Sequence, residues 1–402
     1  MSLHQLSLSG VKPFLSRTVM TQDSNYLVRY QYFEPTIVAD QINVDLSYID
    51  FVSIPMSLAA INAPHATNSP QTTTANGLIL VNAAAASGTT ALNNVLPSSS
   101  QILPNANFTR VVSPSLNATS AAMYHDWTNY LQTTLSNKQV TLKGSYVGTG
   151  PQPAWTNAQG YCQTAVPPIT DPNVCSRYQA QSYDYIATFD SSGNVTMTPQ
   201  SDSGNGTATC VPVSVQGPGI GNVGSITISF ANLNTATGIY GNNPIFSYSY
   251  TLNGTPYSGT TTGITNDLFG RVVGDLMAGL SFGYPASTVT YNGTAIGSLA
   301  SSQWWGGTLP DGTVITLANS PAGNNVAFGT AQPGQPNNYH TYAASFNALT
   351  SAYGFALQDR LNNNTIAFNT TTDANSYLMV TINPDSSSTV HPNMLLLLSG
   401  NN

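Results

Sequence analysis

Apolar and polar residues alternate with period two in short stretches along most of the chain, and Gly, Asn or Pro breaks each stretch. Side chains alternate sides along a strand, so such stretches read as strands with one buried face. The clearest cover 26–34, 42–55, 78–81, 139–147, 183–189, 225–230, 245–252, 288–291 and 377–382. Three stretches carry a 3.6-residue period instead and read as helices. Over 119–135 it aligns Ala122, Met123, Trp127, Tyr130 and Leu131. Over 266–280 it aligns Phe269, Val272, Val273, Leu276, Met277 and Leu280, with Asp267 in the first turn, where a carboxylate suits the helix dipole. The third, over 338–352, is built of alanines and aromatics. Residues 151–219 are rich in Pro, Gly and Ser and read as an insertion or an elaborated lobe, and no fixed-period repeat occurs. The pattern predicts a β-rich α+β protein.

With 402 residues the chain exceeds what one core usually holds, so two packed domains are expected. Charged residues make up only 6%, against roughly 25% in an average soluble chain. Low charge is a mark of disorder only when aromatics and β-branched residues are scarce. Here 21 Tyr and long runs of Val, Ile and Thr argue for a folded chain, solvated by Ser, Thr, Asn and Gly, as suits a secreted protein. The net charge is −7 with no Lys/Arg cluster, which excludes the basic footprint that nucleic acid requires. No apolar run approaches the roughly 20 residues of a membrane span; the run Met394-Leu395-Leu396-Leu397-Leu398 reads as a last strand or a frayed tail. Met1-Ser2-Leu3 opens no basic segment followed by an apolar one, so no signal peptide is read here. Cys162 and Cys175 flank a Pro-rich loop and suit a small disulfide or buried thiols, and Cys210 is the third cysteine. None has metal-ligand spacing, so neither a metal nor a cofactor is expected. The eight N-x-Ser/Thr sequons are about what chance provides in so Asn- and Thr-rich a chain.

Glu34 is the only glutamate among sixteen acidic residues. With period two it shares a face with Val28, Tyr30 and Tyr32, while Asp50 shares one with Ile42, Val44, Leu46 and Tyr48. A carboxyl beside apolar groups holds its proton more easily, as a general acid must. A turn centred on Gln41 would put Glu34 opposite Tyr48 and Asp50 diagonally next to it, at roughly 7 Å. A turn centred on Asp40 would separate them to about 13 Å. Inverting glycosidases hold their carboxyls about 6.5–9.5 Å apart and retaining ones about 5–5.5 Å apart. The structural alternative is that Glu34 ends a strand and Asp50 makes a local hydrogen bond.

The stretch from Tyr32-Phe33-Glu34-Pro35-Thr36 to Val44-Asp45-Leu46-Ser47-Tyr48-Ile49-Asp50-Phe51-Val52-Ser53-Ile54-Pro55 resembles glycoside hydrolase family 64. Ser113-Pro114-Ser115-Leu116 with Tyr124, Trp127 and Tyr130 is similar to a second family segment. Asn338-Tyr339-His340-Thr341-Tyr342-Ala343, with Tyr353-Gly354-Phe355 and Asp359, is similar to a third. The resemblance implies a thaumatin-like β-barrel or sandwich over 1–115, completed by a strand at 375–390. It implies a mixed α/β lobe over 116–374, an insertion around 146–265, and a wide groove between the two. It further implies a monomeric β-1,3-glucanase acting on β-1,3-glucan with inversion. Glu34 would be the general acid and Asp50 the general base, with Tyr32, Thr36 and Ser47 lining the sugar cleft. Pro35 and Asn43 depart from the family, which has aromatics there. They suit the alternative of a non-catalytic glucan-binding or cell-surface structural protein on the same fold.

Three further signals stand apart. Gly279-Leu280-Ser281-Phe282-Gly283 fits the G-x-S-x-G pattern of a nucleophile elbow. A helix precedes the serine rather than a strand, so a glycine helix cap is the better reading. Trp304 and Trp305 are either a sugar-stacking platform or a buried turn. His340 either binds substrate or holds a helix end.

Overall fold

The structure is a computed structural model that describes residues 31, 33–38, 40–88, 111–147, 155–157, 180–200, 210–212, 224–252, 255–264, 268–305, 307–308, 314–315, 320–321, 328, 338–358, 365–384 and 396–399. The expected strand over 26–30, Tyr32, Asp267, Cys162, Cys175 and most of the 151–219 segment lie outside them. The chain divides into two compact units, one of 1–125 with 341–402 and one of 126–340. The division assigns 116–125 and 341–374 to the first unit. Every named sheet is antiparallel, and among the described residues none closes into a barrel.

The first unit carries two three-stranded sheets. In one, Gln41–Leu46 lies between Phe33–Val38 and Ile366–Asn369. In the other, Tyr377–Ile382 lies between Met56–Ile61 and Leu396–Ser399, so the C-terminal leucine run forms a strand. Ile42, Val44 and Leu46 point into the core, which explains the alternation of that strand. An aromatic chain runs on from there. Tyr48 packs edge-on against Phe346, Phe346 against Tyr342, and Tyr342 against Tyr124. Tyr342 donates its hydroxyl to the Tyr48 carbonyl at 2.7 Å, so the buried polar end is satisfied.

Residues 78–81, expected as a strand, belong to the helix Gly77–Ala86. Asn76 caps it by accepting from the Ile79 amide at 2.9 Å, and four alanines follow that favour helix strongly. The helix expected over 119–135 is broken into a short turn, Ala118–Ala121, and a wide turn, Tyr130–Thr134.

The second unit is organised on a six-stranded sheet, in order Thr255–Thr260, Ser247–Leu252, Ser225–Ile228, Val195–Pro199, Ala180–Phe189 and Gln139–Val147. Its two faces differ sharply. One register row reads Val140, Ala187, Met197, Ile226 and Tyr248, all buried, and ends at Gly259. There the Tyr248 ring lies where a Cβ on Gly259 would be, so the aromatic covers the glycine. The adjacent row on the other face reads Gln139, Thr188, Thr196, Thr227, Ser247 and Thr260, all exposed. This is an uncharged hydroxyl row across the full width of the sheet. The apolar helix Leu268–Phe282 packs on the unit's core, with Val272, Val273, Leu276, Met277 and Leu280 fully buried.

That helix ends as the glycine-cap reading requires. Gly283 takes φ 76°, its amide donates to Leu280 O at 3.0 Å, and the Tyr284 amide donates to Gly279 O at 2.9 Å. Glycine adopts that backbone without a Cβ clash. Ser281 is buried and its hydroxyl accepts from Asn242 Nδ2 at 2.8 Å, which is no position for a nucleophile.

Candidate active site

Glu34 is exposed on the strand Phe33–Val38, and its partner across the pair is Asp45. The hairpin pairs Val38 with Gln41, so the strands meet short of both positions expected for the turn. Asp50 is therefore not the diagonal neighbour of Glu34. It lies five residues beyond the paired Asp45, outside the ladder.

The reason is a change of partner at Ser47. The Tyr48 amide donates to Tyr353 O at 2.8 Å, and the Tyr353 amide donates to Leu46 O at 2.9 Å, a short parallel bridge. Tyr48 turns inward and is fully buried, and the chain then bends at Ile49 and Asp50 before the short strand Phe51–Val52. The two-residue phase that placed Asp50 on the apolar stripe stops at that bend. Asp50 is half-buried, and its carbonyl accepts from the Ser113 amide at 2.8 Å.

A residue that pattern reasoning missed joins the two segments. The Gln31 side chain donates to Ser47 O at 3.1 Å and Phe51 O at 3.2 Å, and it accepts from the Ser53 amide at 3.0 Å. It ties the chain just before Glu34 to the loop on both sides of Asp50. A lone glutamine carries no spacing signal, so nothing in the sequence marks it.

Val28, Tyr30 and Tyr32, expected on the same face as Glu34, lie outside the described residues. Thr36 beside Glu34 is exposed and pairs with the half-buried Asn43, whose Oδ1 accepts from Gln41 Nε2 at 2.9 Å. Among the described residues the neighbours of Glu34 on its face are polar, and the apolar stripe of Gln41–Leu46 belongs to the opposite side.

The remaining expected sugar contacts fall elsewhere. Ser47 is buried at the parallel bridge. Trp304 and Trp305 are 0% and 4% exposed, so the stacking platform is replaced by a core cluster. Trp304 packs against Tyr284 and Trp305, donates Nε1 to Ile296 O at 3.2 Å, and covers Gly279 of the long helix. Indole surface of that size is worth more in a core than in water. His340 is also fully buried, edge-on to Tyr240, with its amide donating to Ser281 O at 2.8 Å. Desolvation pushes its pKa down to about 4, against the hydrogen bonds to the Tyr240 and His340 main chain, so the ring is neutral near pH 7. It sits in the second unit's core. Among the described residues no group of three or more His, Cys, Asp or Glu is placed to hold a metal, and no helix is long and apolar enough to cross a membrane.

Residues 11–150 match the family model of glycoside hydrolase family 64, described as beta-1,3-glucanase. The match contains Glu34, Asp45 and Asp50, and it leaves the chain beyond residue 150 unmatched. No curated protein and no solved structure matches the chain.

Proposed function

We propose that the protein hydrolyses β-1,3-glucan outside the cell as a monomer, with inversion at the anomeric carbon. Glu34 is the general acid that protonates the glycosidic oxygen, and Asp50 is the general base that activates water from the other side of the sugar. The observation that carries this reading is the family match over 11–150, which includes both carboxylates. Two features fit it. Glu34 is exposed, as an acid meeting a polymer must be, and Gln31 fixes the loop of Asp50 to the segment that leads into Glu34. A thaumatin-like arrangement of the first unit is part of the same reading and rests on the family alone.

The test is release of reducing ends from a linear β-1,3-glucan by the wild type, Glu34→Gln and Asp50→Asn, with the anomer of the first product read by NMR. The expected result is an α-anomer from the wild type and at least about a hundredfold lower rate in each variant. Glucan binding without release by the wild type would leave a binding module in place of the hydrolase.

A further inference from the structure

The segment 47–51, which carries Asp50, is held along its main chain by groups from elsewhere in the first unit. Ser47 O accepts from Gln31 Nε2 at 3.1 Å, and Tyr48 O accepts from the Tyr342 hydroxyl at 2.7 Å. Ile49 O accepts from Ser115 Oγ at 3.4 Å, and Asp50 O from the Ser113 amide at 2.8 Å. Phe51 O accepts from Gln31 Nε2 again, at 3.2 Å. Every carbonyl from Ser47 to Phe51 thus has a protein donor, although 47–50 falls between the strands Gln41–Leu46 and Phe51–Val52. Main-chain polar groups always need partners, and at a bend water commonly supplies them. Here the protein does so itself, which fixes the path of the chain.

Gln31 grips this segment at both ends. A side-chain amide offers two donor hydrogens and an acceptor oxygen. Its nitrogen serves Ser47 O and Phe51 O, on either side of Asp50, and its oxygen takes the Ser53 amide at 3.0 Å. Both donors and the oxygen are therefore spent on one loop. An ionised glutamate in its place would meet the same two carbonyls with no hydrogen to give them. Gln31 also stands three residues before Glu34, at the entry to the strand Phe33–Val38. A shift of Gln31 is thus passed to both carboxylate-bearing segments. Proton transfer depends on that placement, since a displacement of about 1 Å can cost about a hundredfold in rate.

We propose that Gln31 is the positioning residue of the general base: it holds the 47–53 loop so that the Asp50 carboxylate stands at a set distance from Glu34. It acts through Asp50 and needs no contact with the substrate. The inference rests on the reading of Asp50 as the base, and the experiment tells the two apart.

Two substrates are compared, a linear β-1,3-gluco-oligosaccharide and its nitrophenyl glycoside, whose leaving group needs no acid. On each, kcat and KM are measured for the wild type, Gln31→Ala, Asp50→Asn and Gln31→Ala/Asp50→Asn. For Gln31→Ala the expected result is a kcat lower by about tenfold or more with KM unchanged. The loss should be the same on both substrates, because the step at Asp50 is common to them. The double variant should be no slower than Asp50→Asn, since a group that works through Asp50 then has nothing left to place. Gln31→Met, of similar length but without the donors, should repeat the loss in a protein that circular dichroism shows to be folded at the assay temperature. Wild-type kcat in both Gln31 variants, a loss confined to the unactivated substrate, a change in KM alone, or a further loss in the double variant would each overturn the positioning role. Beside an active wild type and a silent Asp50→Asn, those outcomes spare the hydrolase reading. A wild type that cleaves neither substrate, or an Asp50→Asn with full activity, overturns both.

Discussion

Among single residues, His340 makes the clearest statement about conditions. The folded protein keeps its imidazole neutral, with a pKa of about 4, while the unfolded chain protonates it near 6.5. Unfolding therefore takes up a proton between those two values, and stability from this site is complete above about pH 6.5 and lost as pH falls towards 4. The slope is at most about 1.4 kcal/mol per pH unit. Melting curves from pH 7 to pH 4 should show that decline, and His340→Gln should flatten it. The candidate site was partly legible at this scale. Glu34 stands out as the only glutamate, and the strand that carries it, Phe33–Val38, begins near the end of the expected 26–34 stretch. Its partner was not readable, because the sequence between Val38 and Gln41 lacks the Asn-Gly or Asp-Gly pair that marks a two-residue hairpin. Without that mark the register is free to slide, and each step changes which carboxylate faces Glu34.

Between elements, the second unit depends on two contacts of the helix Leu268–Phe282. Gly279 lets the Trp304 ring lie directly on the helix, and a methyl group there would meet the ring itself. Gly279→Ala should cost about 1–3 kcal/mol by overpacking, measured by denaturant unfolding. On another turn, the buried Asp275 accepts the Tyr183 hydroxyl and, at 3.1 Å, the Ser301 hydroxyl, with Arg271 Nε at 3.8 Å. Burial first, and then the Asp275 charge, push the Tyr183 pKa up, so the phenol stays a donor. Asp275→Ala removes the acceptor for these groups and should cost about 3–5 kcal/mol, and Asp275→Asn should cost less. Four of the six strands of this unit's large sheet were legible because one face is buried and the other wet, which imposes alternation, whereas Val195–Pro199 and Thr255–Thr260 were not among the expected stretches. The helix Gly77–Ala86 was not legible, since a short apolar run does not distinguish strand from buried helix. The 119–135 segment misled for the opposite reason. Its apolar positions serve separate turns rather than one stripe.

For the molecule as a whole, scarcity of charge sets how it meets its surroundings. Only 6% of residues are charged, and the outer row of the six-stranded sheet is hydroxyl and amide. Salt screens charges, and neither this surface nor a neutral polysaccharide offers many. Glucan affinity should therefore change less than about twofold between roughly 0.05 and 0.5 M salt. A steep fall across that range would count against a neutral substrate.

The discontinuity of the first unit bears on how the protein is made. Met56–Ile61 pairs with Tyr377–Ile382, and Gln41–Leu46 with Ile366–Asn369, yet the whole of 126–340 is synthesised between the partners. At about 5–20 residues per second, the early strands leave the ribosome tens of seconds before the strands that complete their sheets. The second unit has all its strands by then and can settle first. The early strands spend that interval with open edges, which is when a chaperone would hold them. Protease treatment of ribosome-bound chains stalled shortly after residue 340 has emerged should leave 126–340 protected and cut within 33–88, and equal protection of both would mean that the early strands find a temporary partner of their own.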